Sequence, residues 1–338
     1  MEDLKSFIRR LPKAELHLHL EGTIAPSTLV ELSARHDAEP ITLAAAEALY
    51  QFTDFTGFIN AFKAVTRRLI GPDDYELAAW RMIEALAVQG VVHADVYISV
   101  GVIYMWRNHD ATCFEPIFEG LERARTRGER ELGVSLYWIF DAVRHFTVPE
   151  AERVFRKAAE LRSRYPSIIG IGLGGDERMA GSEPFRPLYA EARAAGLRLT
   201  NHAGETTGPE AIREALAIGS ERIGHALSAI QDPALLQELK AMRTPLELNP
   251  TSNVRTGVCP SFAAHPLRSY FDSGLLVTLN SDDPAFFGSN VANEYLLAHT
   301  EQAFTQQELR RLAANSIHAS FLPDAAKQSW LAQIETTK

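Results

Sequence analysis

The sequence predicts an α/β fold, a single (β/α)8 TIM barrel filling residues 1–338 with extra helices after the first strand. Three observations carry that expectation. Strand-length apolar or β-branched runs recur eight times, separated by stretches of amphipathic helical composition. Such alternation demands a parallel sheet with right-handed crossovers, and eight units suffice to close it into a barrel. Ionisable residues gather at or just past the predicted strand ends, the face on which barrels of this kind carry their chemistry. A length of 338 residues suits one such barrel.

The eight strands are expected at 14–20, 91–99, 134–141, 168–174, 198–202, 222–225, 244–248 and 275–280. Helical composition fills the stretches between them, for example at 149–164 and 233–242. The gap from 21 to 90 is too long for one helix and is expected to hold several. No internal repeat, low-complexity tract or linker marks a second domain. Hydrophobic residues make up 46% and charged residues 23%, the balance of a globular protein with a sizeable core. Net charge is −9, and no Lys/Arg-rich run offers a footprint for nucleic acid or an anionic membrane. The segment MEDLKSFIRRLPK lacks the apolar centre of a signal peptide, and the longest apolar runs are strand-sized. Cys113 and Cys259 cannot build a disulfide framework, so a reduced, cytoplasmic protein is expected.

The predicted strand ends read His17-Leu18-His19, Gly175-Asp176-Glu177, His202-Ala203-Gly204-Glu205, Gly224-His225 and Asp282-Asp283. Polar groups concentrated on one rim cost stability unless paired or ligating, which marks a site. On a strand, residues i and i+2 share a face, so His17 and His19 enter the barrel mouth together. A lone His-x-His pair is a weak signal, equally served by two hydrogen-bonded histidines. His202 ends the fifth strand and Asp282 the eighth, which neighbours the first in a closed barrel. Three neutral imidazoles and one carboxylate suit Zn²⁺ with room for water. No lysine lies between Lys157 and Lys240 to bridge two ions at the end of the fourth strand, so one metal per chain is expected.

Glu205 follows His202 by three residues and could pass a proton to a substrate, or could be a first-turn glutamate favoured by a helix dipole. His225 could hold or deprotonate a water, or be a core histidine. Asp283 could accept a hydrogen bond from a ring nitrogen, or cap the helix opened by Pro284. Gly174-Gly175 lets a flat ring approach the backbone, although glycine is also the default turn residue.

Taken together, these segments resemble the adenosine deaminase family. The resemblance rests on Ala14-Glu15-Leu16-His17-Leu18-His19-Leu20-Glu21-Gly22, Gly175-Asp176-Glu177, His202-Ala203-Gly204-Glu205, Arg222-Ile223-Gly224-His225, Thr251-Ser252-Asn253 and Ser281-Asp282-Asp283-Pro284. It runs in the family's order from about Leu11 to Pro323. It implies hydrolytic removal of the 6-amino group of a purine nucleoside, with zinc held by His17, His19, His202 and Asp282. By the same carry-over Glu205 protonates N1, His225 positions the attacking water, and Asp282 takes up its proton. Asp283 would bind N7 and the backbone N–H of Gly175 would bind N3, with His19 and Glu21 also facing the substrate.

Two departures from adenosine deaminases bear on the substrate. Glu21 stands where aspartate usually contacts the ribose 5′-hydroxyl, and Ala226 stands where glycine is common. Trp138-Ile139-Phe140-Asp141, Gly172-Leu173-Gly174-Gly175, Thr206-Thr207-Gly208-Pro209 and Ala264-His265-Pro266-Leu267 resemble the branch acting on 6-amino-6-deoxyfutalosine in menaquinone synthesis. That substrate, an adenine nucleoside extended at its 5′ end, is ranked ahead of adenosine. Adenine deaminases share Glu21 but usually carry serine where this chain has Gly175, so free adenine ranks third. Glu21 is expected on the same strand face as His19, and Trp138, Phe140 and Trp106 are expected near the rim as apolar surface for an aryl group. A metal-dependent esterase or amidase, which needs neither Glu205 nor Asp283, and a binding protein with a vestigial site are the readings from other classes.

Overall fold

A computed structural model describes residues 2–52, 55–108 and 110–337. Eight parallel strands run in chain order: β1 Lys13–His19, β2 Val91–Ile98, β3 Ser135–Val143, β4 Ile168–Gly174, β5 Arg198–Ala203, β6 Arg222–His225, β7 Leu246–Leu248 and β8 Val277–Leu279. All eight expected strands are present, with ends moved by up to two residues. The last two shrink to three residues each, because Thr244, Pro245 and Leu275 serve the turns that enter them.

The barrel closes where β8 returns to β1. Leu18 bridges Asp282 in parallel, His19 N–H donates to Asp282 C=O at 3.0 Å, and Asp282 N–H donates to His17 C=O at 3.1 Å. The long first connection holds a 3-10 turn at Glu21–Thr23 and helices at Pro26–His36, Leu43–Leu49, Phe55–Thr66 and Pro72–Ala87, as expected. Among the described residues, no helix is long and apolar enough to cross a membrane.

Buried aliphatic and aromatic side chains of strands and helices make one continuous core. Inside the barrel the packing is different. Tyr97 and Ile139 meet Phe321, which follows the helix Gln306–Ala319 and plugs the end away from the strand C-termini. Phe321 lies 3.9 Å below the guanidinium of Arg222. That buried cation pairs with Asp95 at 2.5 Å and Glu247 at 2.6 Å, and Asp95 in turn meets His93 at 3.0 Å. Charges this deep are tolerated only as a paired set. Replacing Arg222 by Met removes the cation shared by two buried carboxylates and is expected to cost about 3–5 kcal/mol in urea unfolding, against about 1 kcal/mol or less if the set adds nothing to folding.

Candidate active site

Side chains from β1, β5, β6 and the β8 end converge at the barrel mouth. A register shift lies between Glu15 and Leu18, so Glu15 bonds Ser281 while His17 and His19 turn towards His202. His17 Nε2 and His19 Nε2 each lie 3.4 Å from Asp282 Oδ1, and His19 Nε2 lies 3.2 Å from His202 Nε2. Zinc–ligand bonds of about 2.0–2.1 Å in a tetrahedron put neighbouring donor atoms roughly 3.4 Å apart. The donor spacing therefore fits that ion. His17 Nε2 is also buried without a hydrogen bond, and carboxylate and imidazole atoms close enough to share an ion recur in this cluster.

Electrostatics agree with geometry. Burial pushes His19 and His225 down to about 4 and His202 well below its ordinary value, which leaves neutral imidazoles able to donate lone pairs. Burial opposes a charge on His17 too, but Asp282 and Glu247 beside it outweigh that and raise it to about 10. The spot around His17 therefore favours positive charge. Adjacent Asp282 and Asp283 are driven apart: against its burial, Asp282 is held well below its ordinary value by His17, whereas burial and the Asp282 charge push Asp283 well above its own.

The supporting residues come from elsewhere in the chain. Glu247 on β7 accepts from His17 Nδ1 at 2.8 Å and from Tyr97 Oη at 3.1 Å, which fixes His17 Nε2 as the free donor atom. Ser252 Oγ donates to Asp282 Oδ2 at 2.6 Å. Asn249 and Asn253 amides donate to His225 Nδ1 at 3.3 and 3.0 Å, so the neutral ring carries its proton on Nε2. That atom lies 3.8 Å from Glu205 Oε2 and 4.0 Å from Asp282 Oδ2. Gly224 is required for room: a Cβ there would sit 2.6 Å from His17 Cε1.

With this geometry in view, the likenesses to known proteins become informative. The sequence pattern of the family described as adenosine deaminase matches residues 12–337. The chain belongs to the adenosine deaminase family. Like its relatives it is an aminohydrolase. It is 39% identical over 337 residues to an aminodeoxyfutalosine deaminase of Streptomyces avermitilis, covering 99% of this chain and 93% of the other. An adenine deaminase of Arthrobacter aurescens has a similar structure, with a TM-score of 0.89, 33% identity and coverage of 96% and 98%. An amidohydrolase of Burkholderia ambifaria solved with bound zinc also has a TM-score of 0.89, at 26% identity and coverage of 98% and 91%.

The remaining expected residues fall as follows. Glu205 is not in a helix: the next one starts at Pro209, which removes the helix-dipole explanation for its position. Burial, followed by the charges of Asp282 and Glu177, raises its carboxyl to about 8. Asp283 occupies the cap position of the short helix Pro284–Phe287 but makes no capping bond, so its carboxyl is free for another role. An unprotonated ring nitrogen can only accept, so a carboxyl binding one must donate, where the sequence reading has it accept; the upward push on Asp283 favours that form. Gly175 follows β4 directly at φ +87°, where a side chain would press Val143 and His145.

Two expectations are corrected. Glu21 does not continue the β1 face, because the strand ends at His19 and Glu21 opens the following 3-10 turn. Its Oε1 accepts from Ser99 N–H at 3.0 Å, its Oε2 is buried without a partner, and burial raises it to about 7. Trp138 and Phe140 do not reach the rim. Trp138 donates to Glu122 at 2.8 Å and Phe140 packs on Phe114 and Phe118, so both face the helix Phe114–Leu132. Trp106 is bound through Nε1 to Thr66. Half-buried rings of Phe52, Phe58 and Phe62 instead lie together beside Phe286 and Phe287, which follow Asp283.

Elemental analysis should find about one divalent ion per chain, and two in active protein would contradict this ligand set. His17→Ala or Asp282→Ala should abolish binding. Glu247→Gln should weaken it about 10–100-fold in chelator competition, the usual effect of losing a carboxylate behind a ligating histidine.

Proposed function

We propose that the chain works as one domain that hydrolyses the 6-amino group from 6-amino-6-deoxyfutalosine, releasing ammonia and leaving a 6-oxo purine. At the coarser level it is a deaminase of adenine-type substrates. The observation that carries the finer reading is whole-length identity of 39% to an aminodeoxyfutalosine deaminase. Free adenine is the second reading, favoured by the likeness to the Arthrobacter aurescens adenine deaminase and by Glu21. Gly175 and the half-buried phenylalanines favour a larger substrate. Those rings offer apolar surface to an aryl group carried at the 5′ end.

In this reading His17, His19, His202 and Asp282 hold Zn²⁺, whose contribution is Lewis acidity towards water. His225 orients the attacking water through Nε2–H, and Asp282 Oδ2, 4.0 Å away, takes up its proton. Glu205 keeps a proton at neutral pH and delivers it to N1 as the ring adds water at C6. Asp283 donates to N7, the N–H of Gly175 to N3, and the unpartnered Oε2 of Glu21 meets the 5′ side of the sugar.

Glu205→Gln should keep its metal yet lose about 10²–10⁴-fold in kcat, the range for removing a general acid. The active form is protonated, so wild-type kcat/KM should fall as pH rises through about 8. That limb should vanish in the variant. Near-normal turnover would remove Glu205 from the chemistry.

Rates with 6-amino-6-deoxyfutalosine, adenosine and adenine decide between substrates. The first should give the highest kcat/KM, and a clear preference for adenine would overturn this assignment. Glu21→Asp should shift the ratio towards adenosine about tenfold, the value of one hydrogen bond to a hydroxyl. An unchanged ratio would mean that Glu21 does not read the 5′ group.

A further inference from the structure

We propose that Glu177 is the positioning residue that aims the Glu205 carboxyl, a role that rests on the reading of Glu205 as proton donor. Glu177 lies in the turn after β4 and is only 6% exposed. Its Oε1 accepts from Glu205 N–H at 2.7 Å and from Thr206 N–H at 3.1 Å. Its Oε2 accepts from Gly204 N–H at 2.7 Å and from Thr207 Oγ1 at 2.5 Å. One buried carboxylate thus collects three consecutive backbone donors and a hydroxyl from the turn that carries Glu205.

That turn needs outside support. It lies between the end of β5 at Ala203 and the helix Pro209–Ala217, so neither element holds these three N–H groups. It begins at Gly204 with φ +73°, and a Cβ there would meet Ile212 and Ser228 at 2.6 Å. Leaving a buried donor such as Gly204 N–H without a partner costs about 1–3 kcal/mol, so acceptance by Glu177 favours this shape of the turn, which Ser228 N–H also holds at the Gly204 C=O.

The strand end just before the turn is secured separately. Arg144, after β3, donates to His202 C=O at 2.5 Å and Asn201 Oδ1 at 2.6 Å. Two charged groups from neighbouring loops therefore divide the work. Arg144 fixes the backbone of a metal-ligating residue, and Glu177 fixes the backbone of the proton donor three residues later. Disturbing Glu177 should misplace Glu205 and leave the metal set alone.

A double-mutant cycle in the metal-loaded enzyme tests this. Glu177→Gln keeps size and shape but replaces one accepting oxygen by an NH₂ group. It should retain about one metal ion per chain, with kcat reduced about 10–100-fold, the effect of a misplaced reacting group, and KM little changed. In the Glu205→Gln background the same substitution should cost almost nothing further. Thr207→Val, which removes one bond of the four, should show a smaller loss with the same dependence on Glu205, and carries the test if Glu177→Gln does not fold. Equal losses in both backgrounds, loss of metal, or unchanged kcat would overturn the role of Glu177. Near-normal turnover of Glu205→Gln alone would instead overturn the reading of Glu205.

Discussion

Closure of the barrel between β8 and β1 is the constraint on which the site depends. Two backbone hydrogen bonds at Asp282, one to His17 and one from His19, set the spacing of three metal-ligating candidates at once. Asp282 meets them at φ +65°, a left-handed conformation that costs a non-glycine residue about 1–3 kcal/mol. The surrounding ladder and the Ser252 bond hold it there. The next turn has equally little freedom, because Gly22 lies against Asp283 so closely that a Cβ would sit 2.1 Å from Oδ1. Barrel closure, the spacing of the candidate ligands and the place of the Asp283 carboxyl are thus one structural fact.

Below the mouth, the buried set His93, Asp95, Arg222, Glu247 and His17 links the barrel interior to that site. Each member touches the next, and His17 presents Nε2 at the top. An apolar interior would fold as well or better, since buried ion pairs rarely add net stability. What the charged column supplies is orientation. Against its burial, Glu247 is held ionised by Arg222 and His17, and an ionised Glu247 dictates the His17 tautomer.

Much of this was legible in the sequence, for definite reasons. Strand centres show because buried parallel strands are apolar throughout, and the His/Asp cluster shows because imidazoles and carboxylates at strand ends are otherwise expensive. Glu247, Ser252, Asn253 and Glu177 received no role, since each acts on a residue remote in sequence. Glu247, for example, serves His17 across 230 positions. Trp138 and Phe140 went wrong through parity. Ile139 and Asp141 face the barrel interior, so alternation along β3 turns Trp138 and Phe140 together onto the outer helix. Glu21 was misplaced for a simpler reason: nothing in Leu20-Glu21-Gly22 says that the strand ends one residue earlier.

The division of labour on the rim also explains where the substrate is read. The proposed ligands to the metal come from β1, β5 and the β8 junction, whose backbones are tied to neighbouring strands. The proposed proton donor Glu205 comes one step later, on a turn held by Glu177. Glu21 and the phenylalanines at 52, 58 and 62 sit later still, in the connection between β1 and β2. Changes in that connection can reshape the rim around Glu21 and the phenylalanines without moving a strand, whereas a change in β1 or β8 moves the candidate metal ligands. Specificity within such a family is therefore expected to vary in the long first connection while the deamination chemistry stays on the strands.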